Sequence, residues 1–144
     1  MAKLYIVDDG PLRAKLQEKA RRLGLDGAVI FLGKIKHQEV LERIFAADIF
    51  SLISSYEGFS HLLLESLSVG TPIVTTSVGG NIEIIKDGQN GLLAPVGDSI
   101  KTAEMIIKLL NDDNLRNMLA EQGKKDVAAF SEEIMLKEIS AILR

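Results

Sequence analysis

The stretch GFSHLLLESLSVGTPIVTTSVGGNI, from Gly58 to Ile82, carries a single formal charge, Glu65, among Leu62, Leu63, Leu64, Leu67 and Val69. A lone carboxylate in so apolar a run is costly unless a partner satisfies it. Read at helical period, Leu63 and Leu67 share one face while Leu62 and Val69 flank Glu65. A helix over Ser60–Val69 is therefore apolar nearly all round and belongs between a sheet and other helices. Gly70-Thr71-Pro72 supplies the turn that ends it, and the β-branched run Pro72–Thr75 reads as a buried strand.

Outward from this stretch the same alternation recurs. Short strands are expected at Lys3–Val7, Ala28–Leu32, Asp48–Ile53 and Gly91–Ala94, and helices at Leu12–Leu23, Gln38–Ala46 and Asn81–Lys86. Turn signals fall between them, at Asp9-Gly10-Pro11 and Asp87-Gly88. Strands that alternate with helices make an α/β fold, with βαβ units wound on a parallel sheet and helices on both faces. Beyond the last strand the chain reads as helical. Asp98 starts one helix, Asp112–Phe130 carries another, and Ser131 with Glu133 and Ile134 opens the last.

A length of 144 residues is that of one domain, and 47% hydrophobic with 26% charged residues is the balance of a globular chain. A net charge of −3 without a basic face argues against nucleic acid as a partner. Without cysteine there is no disulfide, thiolate metal site or thiol nucleophile, and His37 and His61 lack metal-ligand spacing, so no metal is expected. Asp48, Glu57 and Glu65 interrupt the apolar runs before the roughly 20 residues a transmembrane segment needs, and no apolar signal region opens the chain. A cytoplasmic location is the expectation.

If Ser60 caps the helix, Glu65 lies five residues in, about 7.5 Å along the axis at about 1.5 Å per residue. The helix start at Gly58-Phe59-Ser60 presents N–H groups and a positive dipole end to a diphosphate. A ribose joined to that diphosphate reaches Glu65, whose carboxylate can accept from both ring hydroxyls, as an acidic residue does in dinucleotide-binding folds.

Ser55-Tyr56-Glu57-Gly58-Phe59-Ser60-His61-Leu62-Leu63-Leu64-Glu65-Ser66-Leu67, followed by Gly70-Thr71-Pro72-Ile73-Val74, resembles the signature of family-four (group 1) retaining glycosyltransferases of the GT-B fold. Two glutamates with seven residues between them form its centre. The resemblance continues in order through Asp9-Gly10-Pro11-Leu12, Phe31-Leu32-Gly33, Ala47-Asp48, Gly79-Gly80 with Glu83, and Asp87-Gly88-Gln89-Asn90-Gly91-Leu92. It implies transfer of a sugar from a UDP-, GDP- or ADP-linked donor to an acceptor, with retention at the anomeric carbon and no required metal or other cofactor. By resemblance, Glu65 holds the ribose. Glu57 lies beside the transferred sugar and holds its hydroxyls or stabilises an oxocarbenium-like transition state. Gly58, Phe59 and Ser60 give N–H groups to the diphosphate, Gly10, Gly79, Gly80 and Glu83 line the same cleft, and main chain at Lys34-Ile35 meets the base.

The departures from the family are also informative. The family's domain opens with a further strand and a basic loop and helix that have no counterpart here, and an acceptor domain precedes them. The chain is thus expected to be the donor-binding half alone, not active by itself, with an acceptor domain or a second copy as partner. Asp8 stands where the family usually has glycine, and a carboxylate facing the cleft there would repel phosphate. Without its first strand the family's sheet closes to a five-stranded, three-layer Rossmann-like or flavodoxin-like domain in the order 2-1-3-4-5.

Other readings stay open at this point. Leu4-Tyr5-Ile6-Val7-Asp8-Asp9 also resembles the start of a response-regulator receiver domain, although Ser54-Ser55 and Ala94-Pro95 stand where that fold needs an aspartate and a lysine. A non-catalytic flavodoxin-like binding or assembly module is a third. Glu65 can instead cap a buried network through Ser66, Ser68 or an amide, and Glu57 can be a solvated loop residue. His61 suits a sugar contact or a cap, and Gly79-Gly80 can simply allow a turn. The Met135, Ile139, Ile142 and Leu143 stripe reads as helical core, or as a face for self-association.

Overall fold

The computed structural model describes residues 2–142, with side chains described for 2–128. Strands and helices alternate as β1 (Leu4–Val7), α1 (Arg13–Arg22), β2 (Val29–Gly33), α2 (His37–Phe45), β3 (Phe50–Leu52), α3 (His61–Val69), β4 (Ile73–Thr76), α4 (Asn81–Ile84) and β5 (Leu92–Ala94), followed by α5 (Ser99–Asn111) and α6 (Asp113–Ile142). The chain forms two compact units that divide after Glu42.

In the first unit β1 and β2 run parallel, Leu4 opposite Val29 and Ile6 opposite Phe31, with an irregularity between Ile6 and Val7. That irregularity leads into Asp8, whose φ of 82° lies in the left-handed region while its N–H donates to Gly33 O at 2.8 Å. The Arg13 guanidinium then ties the start of α1 to its surroundings, donating to Asp9 Oδ2 at 3.0 Å and to Phe31 O at 3.3 Å. Lys19, Arg21 and Arg22 in the last turn of α1 complement the negative end of its dipole.

The second unit is built on the parallel ladder β3-β4-β5, with Ser51 opposite Val74 and Val74 opposite Leu92. Every residue of β4 is buried, as expected for an inner strand covered on both faces. Because side chains alternate along a strand, Ile73 and Val74 enter different clusters. Ile73 packs with Leu63 and Leu67 of α3, with Ile84 and Ile85, and with Phe50, Leu52 and Leu93. Val74 packs with Leu92, with Leu109 of α5 and with Leu119 of α6. Helices therefore cover this ladder on both faces. α6 serves both clusters, Leu119 in one and Val127 in the other, and Gly123 lets it approach Leu67.

The expected starts and stops largely hold. Gly70 ends α3 in the left-handed conformation, φ 77°. Asp98 caps α5, its side chain accepting from Lys101 N–H at 2.8 Å.

Two expectations need correction. The expected five-stranded sheet in the order 2-1-3-4-5 is not found among the described residues. Among the described residues the hydrogen-bonded ladders are 2-1 and 3-4-5, and β1 does not pair with β3. Hydropathy period marks which segments are strands but carries no information on which strand edges pair. The α/β architecture with parallel ladders stands. No new helix opens at Ser131 either, because α6 runs unbroken from Asp113 to Ile142. After Gly123 there is no glycine or proline to stop it, so a start signal at Ser131 has no preceding end. The side chains of the Met135, Ile139, Ile142 and Leu143 stripe lie outside the described residues. Among the described residues no helix is long and apolar enough to cross a membrane.

Candidate functional site

In parallel α/β sheets ligands meet the carboxyl ends of the strands. In the second unit those ends carry the segment Ser54–Ser60 after β3 and Ser77–Gly80 after β4. The two segments are fastened together. Gly80 N–H donates to Glu57 O at 3.3 Å. A Cβ on Gly79 would strike that same carbonyl, and one on Gly80 would lie 2.8 Å from Phe59 Cα. Main chain meets main chain here, so the glycine pair is required for close approach as well as for the turn, where Gly79 has φ 37°.

Beneath this contact lies a buried polar network. Thr76 Oγ1 donates to Ser54 O at 2.6 Å and accepts from Ser54 N–H at 3.0 Å. Thr75 Oγ1 donates to Leu52 O at 2.6 Å and accepts from Asn81 Nδ2 at 2.9 Å. Asn81 Nδ2 also donates to Thr76 O at 3.1 Å, which ties the residue following the glycine pair to the end of β4. Thr75, Thr76 and Asn81 are all essentially without solvent exposure. At its edge Ser54 Oγ donates to Glu57 Oε2 at 2.9 Å, so Glu57 is a half-buried, oriented carboxylate rather than a solvated loop residue.

α3 starts beside these residues in the chain. Ser60 occupies its N-cap position with φ −91° and ψ 103°, but its side chain makes no capping bond, which leaves the first-turn N–H groups unclaimed by that hydroxyl. Phe59 and His61 are exposed and meet edge to face, ring centres 5.9 Å apart. Glu65 is half-buried, and its Oε2 is shielded from solvent. Ser66 and Ser68 do not cap it, because each spends its one hydroxyl proton on a main-chain carbonyl, Leu62 O and Glu65 O, both at 2.7 Å. Glu83 is exposed on α4, its N–H bonded to Gly80 O at 3.2 Å.

The structure thus brings Glu57, Gly58, Phe59, Gly79 and Gly80 into direct main-chain contact, with Ser60 and Glu65 on the helix that follows. Gly10 and Ile35 belong to the first unit. Gly10 is exposed and donates to Asp9 Oδ1 at 2.8 Å, and Ile35 is half-buried between β2 and α2. Sequence reasoning missed Ser54, Thr75, Thr76 and Asn81. Their one signal was two adjacent threonines closing a buried strand, ahead of a glycine pair followed by asparagine.

Residues 1–126 match the family described as Glycosyl transferases group 1. The chain belongs to that family. Among its group 1 relatives, the N-acetyl-alpha-D-glucosaminyl L-malate synthase of Bacillus anthracis is 36% identical over 88% of this chain and 32% of its own length. The C-terminal domain of a group 1 protein, LpcC, from Francisella tularensis has a TM-score of 0.76 at 31% identity, covering 82% of this chain and 61% of that one. The Anabaena Alr3699/HepE structure in complex with UDP-glucose has a TM-score of 0.81 at 25% identity, covering 96% and 41%. The chain spans about a third of the length of the curated relatives it matches. The receiver-domain alternative finds no support. Asp9, half of its acidic pair, is committed to Arg13 and Gly10 N–H, and Ser54 follows β3 where that chemistry needs an aspartate.

Proposed function

We propose that this chain is the nucleotide-sugar-binding half of a two-domain retaining glycosyltransferase. It takes a sugar on a nucleoside diphosphate, linked to UDP, GDP or ADP, and turnover requires an acceptor-binding domain in addition to these residues. The diphosphate rests on the N–H groups at Gly58, Phe59 and Ser60, where the start of α3 offers positive potential. Glu65, roughly 7.5 Å along that helix, accepts from the ribose hydroxyls. Glu57 faces the transferred sugar, and Gly79, Gly80 and Glu83 shape the cleft around it. Family membership over residues 1–126 supports the reading, as does the UDP-glucose held by a neighbour of the same fold.

The observation that carries it is local. The α3 start, with no capping bond from the Ser60 side chain, directly follows a carboxylate oriented by Ser54, and the one acid of α3, Glu65, is half-buried on the same helix. Calorimetric titration of the chain with UDP, GDP and ADP tests it. One of the three is expected to bind, and Glu65→Ala is expected to weaken that binding at least tenfold, about 1.4 kcal/mol for lost hydrogen bonds to a charged group. Equal affinity in wild type and variant would remove Glu65 from the site.

A further inference from the structure

We infer that Ser54 is a positioning residue which fixes the Glu57 carboxylate, and that it sets how much of the donor's affinity comes from its sugar. The inference rests on the donor-site reading of Glu57. Glutamate is rich in rotamers, and holding it toward a ligand costs conformational entropy unless the protein has already ordered it. Here both ends of the residue are held. Its carbonyl is clamped by Gly80 N–H, and its Oε2 accepts from Ser54 Oγ at 2.9 Å.

Ser54 itself has little freedom. Thr76 Oγ1 grips its main chain from both sides, donating to its carbonyl and accepting from its N–H. Thr76 in turn sits in a buried strand, with Asn81 bonded to its carbonyl. The hydroxyl of Ser54 is therefore presented from a rigid base, and an ionised carboxylate that accepts it keeps further lone pairs for hydroxyls of a ligand. Removing the hydroxyl leaves this main-chain grip intact, so the fold does not depend on it. What changes is the order of the carboxylate.

The test compares wild type, Ser54→Ala and Ser54→Thr of the 144-residue chain. Each is titrated with the pairs UDP and UDP-glucose, GDP and GDP-glucose, and ADP and ADP-glucose, and Glu57 side-chain couplings are measured by NMR. In Ser54→Ala the ratio of sugar-nucleotide to nucleotide affinity is expected to fall about fivefold, in line with the conformational entropy of ordering one rotamer-rich side chain on binding. The Glu57 couplings should become averaged, and Ser54→Thr, which keeps the hydroxyl, should restore both. A chain that binds a nucleotide through Glu65 with the same ratio in all three forms overturns this inference alone. A wild-type chain that binds none of the six compounds overturns the donor-site reading, and this inference with it.

Discussion

At the scale of single residues, the most informative position is one where a side chain occupies the left-handed region. Asp8 follows β1 with φ 82°, held there by its N–H bond to Gly33 O. Side chains resist that region, and the resemblance had marked Asp8 as a place where the family usually has glycine. The backbone here takes a conformation that glycine adopts without strain. Aspartate tolerates it better than most residues, so the cost is at the low end, about 1 kcal/mol. Asp8→Gly is therefore expected to stabilise the protein by about that amount, read as a higher urea midpoint at unchanged slope. A lower midpoint would mean that the Asp8 side chain contributes more than its backbone costs. The same scale explains what the sequence showed of the site and what it hid. Glu65 was legible because one charge in an apolar run has to be explained. Ser54, Thr75, Thr76 and Asn81 were not, since serines and threonines in a strand and its loop read as ordinary polar filler until main-chain carbonyls of other segments are seen to receive their protons.

At the scale of elements, strands announce themselves through β-branched runs and helices through period, and all five strands and the helices through α5 fall where those signals lie. The pattern failed where two signals compete. Ser131-Glu132-Glu133 is a helix start by local chemistry, yet nothing upstream ends α6, so propagation wins over a new nucleus. Sheet pairing across the sequence failed for another reason, since period does not say which edges meet. The glycine pair between β4 and α4 is the element whose role the structure changes most. Gly80 has φ −65°, so no backbone strain calls for glycine there, and the requirement is space alone. Its missing Cβ would press on Gly58 and lie 2.8 Å from Phe59 Cα, atoms that belong to main chain and cannot swing aside. Gly80→Ala should cost about 2 to 3 kcal/mol, the range of overpacking in a closed contact. Gly27→Ala is the control, because nothing lies within 4 Å of its added carbon, and it should leave the urea midpoint unchanged or raise it slightly. A Gly80→Ala protein as stable as Gly27→Ala would show that the Glu57–Phe59 segment is free to move away.

At the scale of the whole molecule, the apolar contacts are unevenly shared. Both buried clusters are drawn from the second unit, with Leu63, Leu67, Ile73, Ile84 and Ile85 in one and Val74, Leu92, Leu109 and Leu119 in the other. The buried apolar residues described in the first unit are Ala20 and Ala28, each 8% exposed. A buried methyl is worth about 0.8 kcal/mol, whereas each ordered residue costs about 1 to 2 kcal/mol of backbone entropy, so these two alanines, with Ile6, Val7, Val29, Ile30, Phe31 and Leu32 only half-buried, offset less of the ordering of the first unit than the two clusters offset of the second. The polar network around Glu57 also lies wholly in the second unit, from Leu52 to Asn81. These facts predict that the two units differ in autonomy. A fragment from Lys34 to Arg144, which keeps α2 whole, should retain dispersed amide signals, a cooperative urea transition and the ordered Glu57 carboxylate. A fragment ending at Lys36 should show the narrow dispersion of an unfolded chain, as expected near 40 residues without disulfides or metal. If the longer fragment loses its cooperative transition while the full chain keeps one, the second unit's two clusters are insufficient, and folding of the donor site depends on the first 33 residues.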